Sequence, residues 1–320
     1  MNFLEIDGCI GGGQILRSSL SLSAILGKPF KIINIRANRP NPGLKHQHLI
    51  CVNAVKEICD AKVKGAELDS EELIFCPKTP ISGKYIFDIQ TAGAIGLVLQ
   101  TLIPLSVYGE FKFIIKGGTH VPFATNLTYL EKVFLPVLKD IGIKTELKIN
   151  KYGFYPKGGG EIEFFVSSFN TLKPINILNS FNEEPEAEIL LCDLPDHIAD
   201  REKKVLGDIN THIKKQKTLS PGNAIIIYKK YCGISKLGRI GVPAEKIAQQ
   251  TLDEFNKYKG YSMDKYLGDQ LLIYMALCDK KSEILVPEFT EHIKTNIICI
   301  ETFIGKIFEV NGNKIIKKEI

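Results

Sequence analysis

Leu4-Glu5-Ile6-Asp7-Gly8-Cys9-Ile10-Gly11-Gly12-Gly13-Gln14-Ile15-Leu16-Arg17 reads as a short strand ending at Asp7, a glycine-rich loop, and the start of an apolar helix to about Leu26. After Gly27-Lys28-Pro29 come a strand, Phe30–Arg36, a helix near Gly43–Cys59, and short strands near Ala61–Lys64 and Leu73–Cys76. The order then repeats. A strand Tyr85–Gln90 leads through Gly93 to a helix over Ile95–Val107, a strand Phe111–Lys116, a helix Leu127–Asp140, and strands Lys144–Ile149 and Glu161–Val166. Asp7 and Ile89 hold equivalent places, as do Gly27 and Gly109, in each case 82 residues apart.

A third copy is split. Its first strand lies near Pro174–Leu178, and its helix opens only at Tyr266-Leu267-Gly268-Asp269-Gln270. A strand Glu283–Val286, a helix Ile293–Phe303, and strands Lys306–Val310 and Lys314–Lys317 complete it. The intervening chain reads as strand Ala187–Cys192, helix Ile198–Lys215, strand Ala224–Tyr231 and helix Ala244–Tyr258. The expected fold class is therefore α/β: three related repeat units form a large domain (1–180 and 266–320), and a small α/β domain (181–265) is inserted in the third.

Composition narrows the function classes. Of 320 residues 44% are hydrophobic and 24% charged, a globular mixture rather than a disordered or fibrous one. Apolar runs break well before the ~18 residues of a membrane span. The opening Met1–Asp7 has no basic region and no long apolar stretch, so no signal peptide is expected and the chain is placed in the cytoplasm. A net charge of +5 permits a polyanionic partner without requiring one. The lysine clusters at 203–204, 214–217 and 229–230 read as solvated surface or as guides for RNA. None of the eight cysteines forms a C-x-x-C pair, which argues for reduced thiols over a zinc site.

Several segments can carry chemistry. Glycines before a helix let backbone N–H groups approach an anion, although Gly11–Gly13 fit neither the dinucleotide fingerprint nor the P-loop, and a tight turn explains them equally well. Arg36 and Arg39 flank a proline-fixed loop and, with Arg17, place three guanidinium groups at one end of the first repeat, suited to phosphate oxygens or to surface ion pairs. His46 and His48 diverge on a helix, which argues against a shared metal. His292 sits where a strand gives way to a helix; an imidazole is nucleophilic near neutral pH, but by itself this one reads as structural. Asp269 can equally cap its helix.

Taken together, the motifs resemble the RNA 3′-terminal phosphate cyclase family. The matching segments are Asp7-Gly8 with Gly11 to Ser18, Ile35 to Arg39 followed by Pro42-Gly43-Leu44 and Gln47-His48, Gly153 to Gly160, Tyr266 to Leu271, and His292 with Thr295-Asn296. They occur in order across nearly the whole chain. The resemblance implies three α/β units with a late insertion. It also implies conversion of an RNA 3′-phosphate to a 2′,3′-cyclic phosphodiester with ATP and a divalent ion, Mg2+ or Mn2+. This is a ligase reaction run by nucleotidyl transfer.

By the same resemblance His292 is the nucleophile that carries AMP. Gln100 and the segment Tyr266, Leu267, Gly268, Asp269 and Gln270 hold ATP, with Tyr266 stacking on adenine, Tyr129 supplying a second aromatic wall, and Arg17 on phosphate. Arg36, Arg39 and Gln47 hold the RNA phosphate. One departure stands out: Ile10 occupies the place where many relatives carry a glutamate near the metal, so no metal ligand is assigned. Two rivals differ in class. A cyclase-like ribosome-assembly factor would lack the histidine, and an enolpyruvyl transferase would not need it adenylated. The sequence carries no signal for an oligomeric state.

Overall fold

A computed structural model describes residues 3–9 and 11–319. The first unit comprises β1 (Leu4–Asp7), α1 (Gly13–Leu26), β2 (Phe30–Ile33), α2 (His46–Ile58), β3 (Lys62–Lys64) and β4 (Leu73–Cys76). β1 and β2 are parallel, β4 and β3 add antiparallel, and the sheet order is β1-β2-β4-β3. The second unit repeats the plan: β5 (Gly83–Asp88), α3 (Ile95–Leu102), β6 (Phe111–Gly117), α4 (Leu127–Tyr129) running through a π turn into α5 (Leu135–Asp140), then β7 (Thr145–Lys151) and β8 (Gly160–Val166), in the order β5-β6-β8-β7.

β9 (Asn176–Ile177) opens the third unit. The chain then leaves it for β10 (Glu186–Cys192), α6 (His197–Leu206), β11 (Asn210–Gln216), β12 (Gly222–Lys229), β13 (Cys232–Leu237) and α7 (Ala244–Asn256), which form their own sheet. It returns as α8 (Leu267–Leu277), β14 (Ser282–Leu285), α9 (Glu291–Ile304), β15 (Phe308–Asn311) and β16 (Lys314–Lys317). The excursion thus replaces the strand-to-helix loop that in the first unit is Gly8–Gly12. One apolar cluster draws on all three units, and the excursion has a separate one over Ala187–Tyr258. Among the described residues no helix is long and apolar enough to cross a membrane.

Two sequence readings need correction. The helix Ile198–Lys215 stops at Leu206: Gly207 adopts φ 60°, and the alternating residues beyond it pair as β11 with β10. There Lys214 lies 2.8 Å from the buried Glu188 carboxylate, and Lys215 lies 2.8 Å from Asp196, so these lysines are paired. The strand Phe30–Arg36 ends at Ile33. Asn34 and Arg36 have φ of 55° and 58°, because the Gly8 N–H donates to Ile33 O and the Arg36 N–H to Gly8 O, folding the two loops together.

Helix α1 lies at the centre. It is buried almost all round, and its serines reach its neighbours: Ser18 Oγ donates to Asn296 Oδ1 (2.7 Å), Ser19 Oγ meets Cys299 Sγ (3.3 Å), and Ser21 Oγ donates to Thr101 O (2.7 Å). Small side chains let helices approach, and each hydroxyl finds a partner inside. Rings lock the units together as well. Phe30 packs edge-on to Phe303 at 6.0 Å, joining the first unit to the third, and Phe134 meets Tyr274 at 6.0 Å, joining the second to the third. Such pairs add about 0.5–1.5 kcal/mol beyond burial.

Burial raises the Glu202 carboxyl in the inserted domain to about 7, although the Asn223 amide donates to Oε2 at 3.0 Å; Oε1 has no partner. Below the unfolded value of 4.5 both states hold the proton; as pH climbs to about 7 only the unfolded chain sheds it, and stability falls. Glu202→Gln is therefore expected to melt higher than the parent at pH 8, by about 2–4 °C per kcal/mol recovered, and no higher at pH 4, in melting curves taken across that range.

Candidate active site

Four helices begin at one place. The N-termini of α1, α2, α8 and α9 bring together the glycine loop, the Arg36–Lys45 loop, Asp269 and His292. Helix N-termini favour anions and disfavour cations nearby. The glycines are required by close approach: a Cβ on Gly13 would lie 2.5 Å from His48 Nε2, and one on Gly11, at φ 74°, would lie 2.7 Å from Thr295 Oγ1.

Gln14, on the first turn of α1, organises the chemistry. Its Nε2 donates to Asp269 Oδ2 at 2.6 Å, and its Oε1 meets His292 Nδ1. Since the amide oxygen can only accept, Nδ1 carries the ring proton and Nε2 keeps its lone pair. Asp269 Oδ2 lies 4.0 Å from the same Nδ1. Burial lifts the Asp269 carboxyl to about 7, against the lowering pull of Arg17 and of the Gln14 amide. Asn296 completes the frame: its Nδ2 donates to Asp269 O at 2.8 Å while Oδ1 receives the Ser18 hydroxyl. His292 is the second residue of α9, which Thr290 caps through the Ile293 N–H. Its side chain is 60% exposed. Burial first, then Arg17 and Arg39, hold its pKa below the usual 6.5, so the ring is neutral at pH 7.

Behind the histidine lies a narrow pocket of about 60 Å³. Gln14, Arg17, Gln100, Asp269, Gln270 and Asn296 are among its lining. The Arg17 guanidinium makes no hydrogen bond or ion pair with any described residue, and Gln270 Oε1 and Tyr274 OH are buried there without partners. An unpaired guanidinium beside orphan polar atoms fits a polar, anionic group.

The predicted site residues divide. His292, Arg17, Gln100, Asp269 and Gln270 converge. Arg39 is exposed, with its guanidinium 3.8 Å from a Cβ built on Gly12, facing the glycine loop. Arg36 is spent differently: its Nη1 donates to Asn41 O (2.8 Å) and Gly43 O (2.9 Å), making it the brace of its own loop. Gln47 lies beside Gly93. Tyr266 is exposed at the start of α8, with Lys265 Nζ over its ring and its hydroxyl on Glu254. Leu267 is fully buried, and a Cβ on Gly268 would meet Val286 at 2.7 Å, so both serve helix packing.

Tyr129 is a correction. It is 4% exposed, its hydroxyl donates to Asp264 (2.9 Å and 3.0 Å), and it offers no face to a ligand. Asp264 also receives the Gly233, Tyr266 and Leu267 N–H groups, so Tyr129 anchors the start of α8. Ile10 lies outside the described residues. Gln14 and Asn296 were absent from the predicted set. Their signal was position, beside the glycine loop and four residues after His292.

A family model described as RNA 3′-terminal phosphate cyclase matches residues 9–310. A Pyrococcus abyssi protein of that name is 40% identical over 329 residues, covering 97% of this chain and 95% of its own length. One of that name from Pyrococcus furiosus is 41% identical over 328 residues, covering 96% and 95%. Among solved structures, an EPSP synthase from Acinetobacter baumannii covers 98% of this chain and 47% of its own, at 12% identity and a TM-score of 0.39, too distant to carry an argument.

Because Arg39 opposes a charge on His292, Arg39→Ala is expected to raise the imidazole pKa toward 6.5, shifting its titration to higher pH. Following the ring Cε1 proton by NMR against pH measures that midpoint.

Proposed function

Since the chain belongs to the RNA 3′-terminal phosphate cyclase family, we propose that it closes the terminal phosphate of an RNA onto the adjacent 2′-hydroxyl, using ATP and a histidine-bound AMP. The observation that supports this reading is the Asp269–Gln14–His292 relay, which leaves Nε2 as a free nucleophile beside Arg17 and Arg39.

His292 Nε2 attacks the α-phosphorus of ATP; a P–N bond forms, the α–β P–O bond breaks, and pyrophosphate leaves. The positive charge that develops on the ring is met by the Gln14 carbonyl at Nδ1 and by the Asp269 carboxylate 4.0 Å away. An oxygen of the RNA 3′-phosphate then attacks the same phosphorus and the P–N bond breaks, returning the lone pair to Nε2. The 2′-hydroxyl finally attacks the activated 3′-phosphorus, loses its proton to water, and expels AMP. A terminal phosphate has no good leaving group, and adenylation supplies one. Closure is intramolecular, where effective molarities reach about 10⁵ M or more.

The residues fit the groups this chemistry needs. Arg17 and Arg39 neutralise phosphate, Gln100 and Gln270 offer amides to the nucleotide, and Tyr266 offers a ring to adenine. Among the described residues no three His, Cys, Asp or Glu side chains gather as a metal cage. Mg2+ or Mn2+ would be held chiefly by phosphate oxygens and water, as Mg2+ commonly is.

Incubation with α-labelled ATP and Mg2+ is expected to leave acid-labile label on the protein, which an RNA ending in 3′-phosphate discharges as AMP while its end becomes phosphatase-resistant. His292→Ala should abolish the label, and Gln14→Ala should retain it but form it about 10–100-fold more slowly. Label that resists acid, or persists without His292, would overturn the assignment.

A further inference from the structure

The motif Gly153–Gly160 takes no part in the chemistry above, yet it walls a cavity of about 300 Å³, larger than the pocket behind His292. Its position echoes the reaction site. Asp88, one residue before the Ile89 that the sequence spacing pairs with Asp7, ends β5 as Asp7 ends β1, and in each case the carboxylate accepts an N–H two residues on, from Gln90 (2.8 Å) and from Cys9 (3.0 Å). Both sites thus lie at the carboxyl ends of a parallel strand pair, where open α/β sheets bind ligands.

Three ammonium groups line the cavity: Lys116, Lys151 and Lys157. Two carboxylates line it as well. That of Asp88 is turned to the Gln90 N–H, and that of Glu161 is 3.9 Å from Lys116 and accepts from Asn150. Lys151 and Lys157 have no side-chain hydrogen bond or ion pair with any described residue. Lys151 ends β7, and Lys157 lies on a loop that is clamped. The Thr119 N–H donates to Gly153 O (2.8 Å), the Gly153 N–H to Thr119 Oγ1 (3.0 Å), and the Lys157 N–H to Ser220 Oγ (3.1 Å). The backbone that carries these cations is thus ordered before a ligand arrives, which lowers the entropic cost of binding.

A run of neighbouring residues relates the cavity's rim to the reaction site. A Cβ built on Gly93 would lie 3.4 Å from Thr91 Oγ1, which lines the cavity, and 3.8 Å from Gln47 Cβ. Gln47 adjoins His48, whose ring abuts Gly13. On the clamped loop Tyr155 is 67% exposed, a ring free to stack on a base.

We propose that this cavity holds a phosphodiester of the RNA strand upstream of its reacting 3′ end, with Lys151 and Lys157 as the neutralising cations. The inference rests on the RNA reading given above. It assigns the second repeat unit to substrate binding and explains how an oligonucleotide is distinguished from a lone nucleotide.

The test is the Lys151→Ala/Lys157→Ala double variant of the full chain, with Lys151→Arg/Lys157→Arg as the charge-preserving control. For a 3′-phosphorylated oligoribonucleotide, fluorescence anisotropy without ATP should show affinity weakened about tenfold and the salt slope reduced by about 0.7, the value for one phosphate on a single strand. The arginine variant should restore both. Labelling of His292 by ATP, and cyclisation of a nucleoside 3′-monophosphate, should be unchanged. An unaltered oligonucleotide affinity and salt slope would overturn the proposal, as would an equal loss for oligonucleotide and mononucleotide, which marks a general phosphate site. If the parent protein takes no label from ATP, the cyclase reading fails separately, and the anisotropy comparison still decides the role of the lysines.

Discussion

The side-chain amide of Gln14 is held at both ends by different parts of the chain, and the site's chemistry depends on that arrangement. Its nitrogen is engaged by Asp269 at the start of α8, and its oxygen by His292 at the start of α9. With both ends engaged the amide cannot turn over without breaking two bonds, so it dictates which imidazole nitrogen carries the proton. A lone histidine in water interconverts its tautomers. Here one tautomer is selected, and Nε2 is the nitrogen left with a lone pair.

The same convergence settles the ring's charge. Burial first, and then Arg17 and Arg39, disfavour the protonated form of His292, and the same two guanidinium groups favour phosphate. The two guanidinium groups thus favour an anion and a neutral imidazole together. Asp269, raised to about 7 by burial, is the counterweight, a carboxyl group 4.0 Å from the same ring nitrogen.

Much of the plan is legible in the chain itself. Strand–loop–helix periodicity and the spacing of Gly27 and Gly109 mark the repeats, and the stretch between β9 and α8 marks the insertion. The errors have local causes. Helix α6 is overrun because lysines and glutamine suit a helix as well as an edge strand, and only Gly207 and the partner strand β10 settle the matter. Tyr129 reads as a ligand wall by its residue type, but whether a ring faces a cleft or a carboxylate depends on what folds over it, here Asp264 from a segment 135 residues away. Arg36 reads as a phosphate fork, and what only the fold adds is that its Nη1 also braces its own loop carbonyls.

The amino-acid order determined by itself the α/β repeats, the family resemblance and the roster of arginines, glutamines and histidine, because periodicity and motif spacing are local properties. The tertiary structure decided which of these residues meet. Gln14 and His292 are 278 positions apart, and no local rule relates an amide in a glycine loop to a ring at the far end of the chain. Their encounter follows from α1 packing between units, where buried serines, interlocked aromatic rings and glycines lacking a Cβ leave one close arrangement.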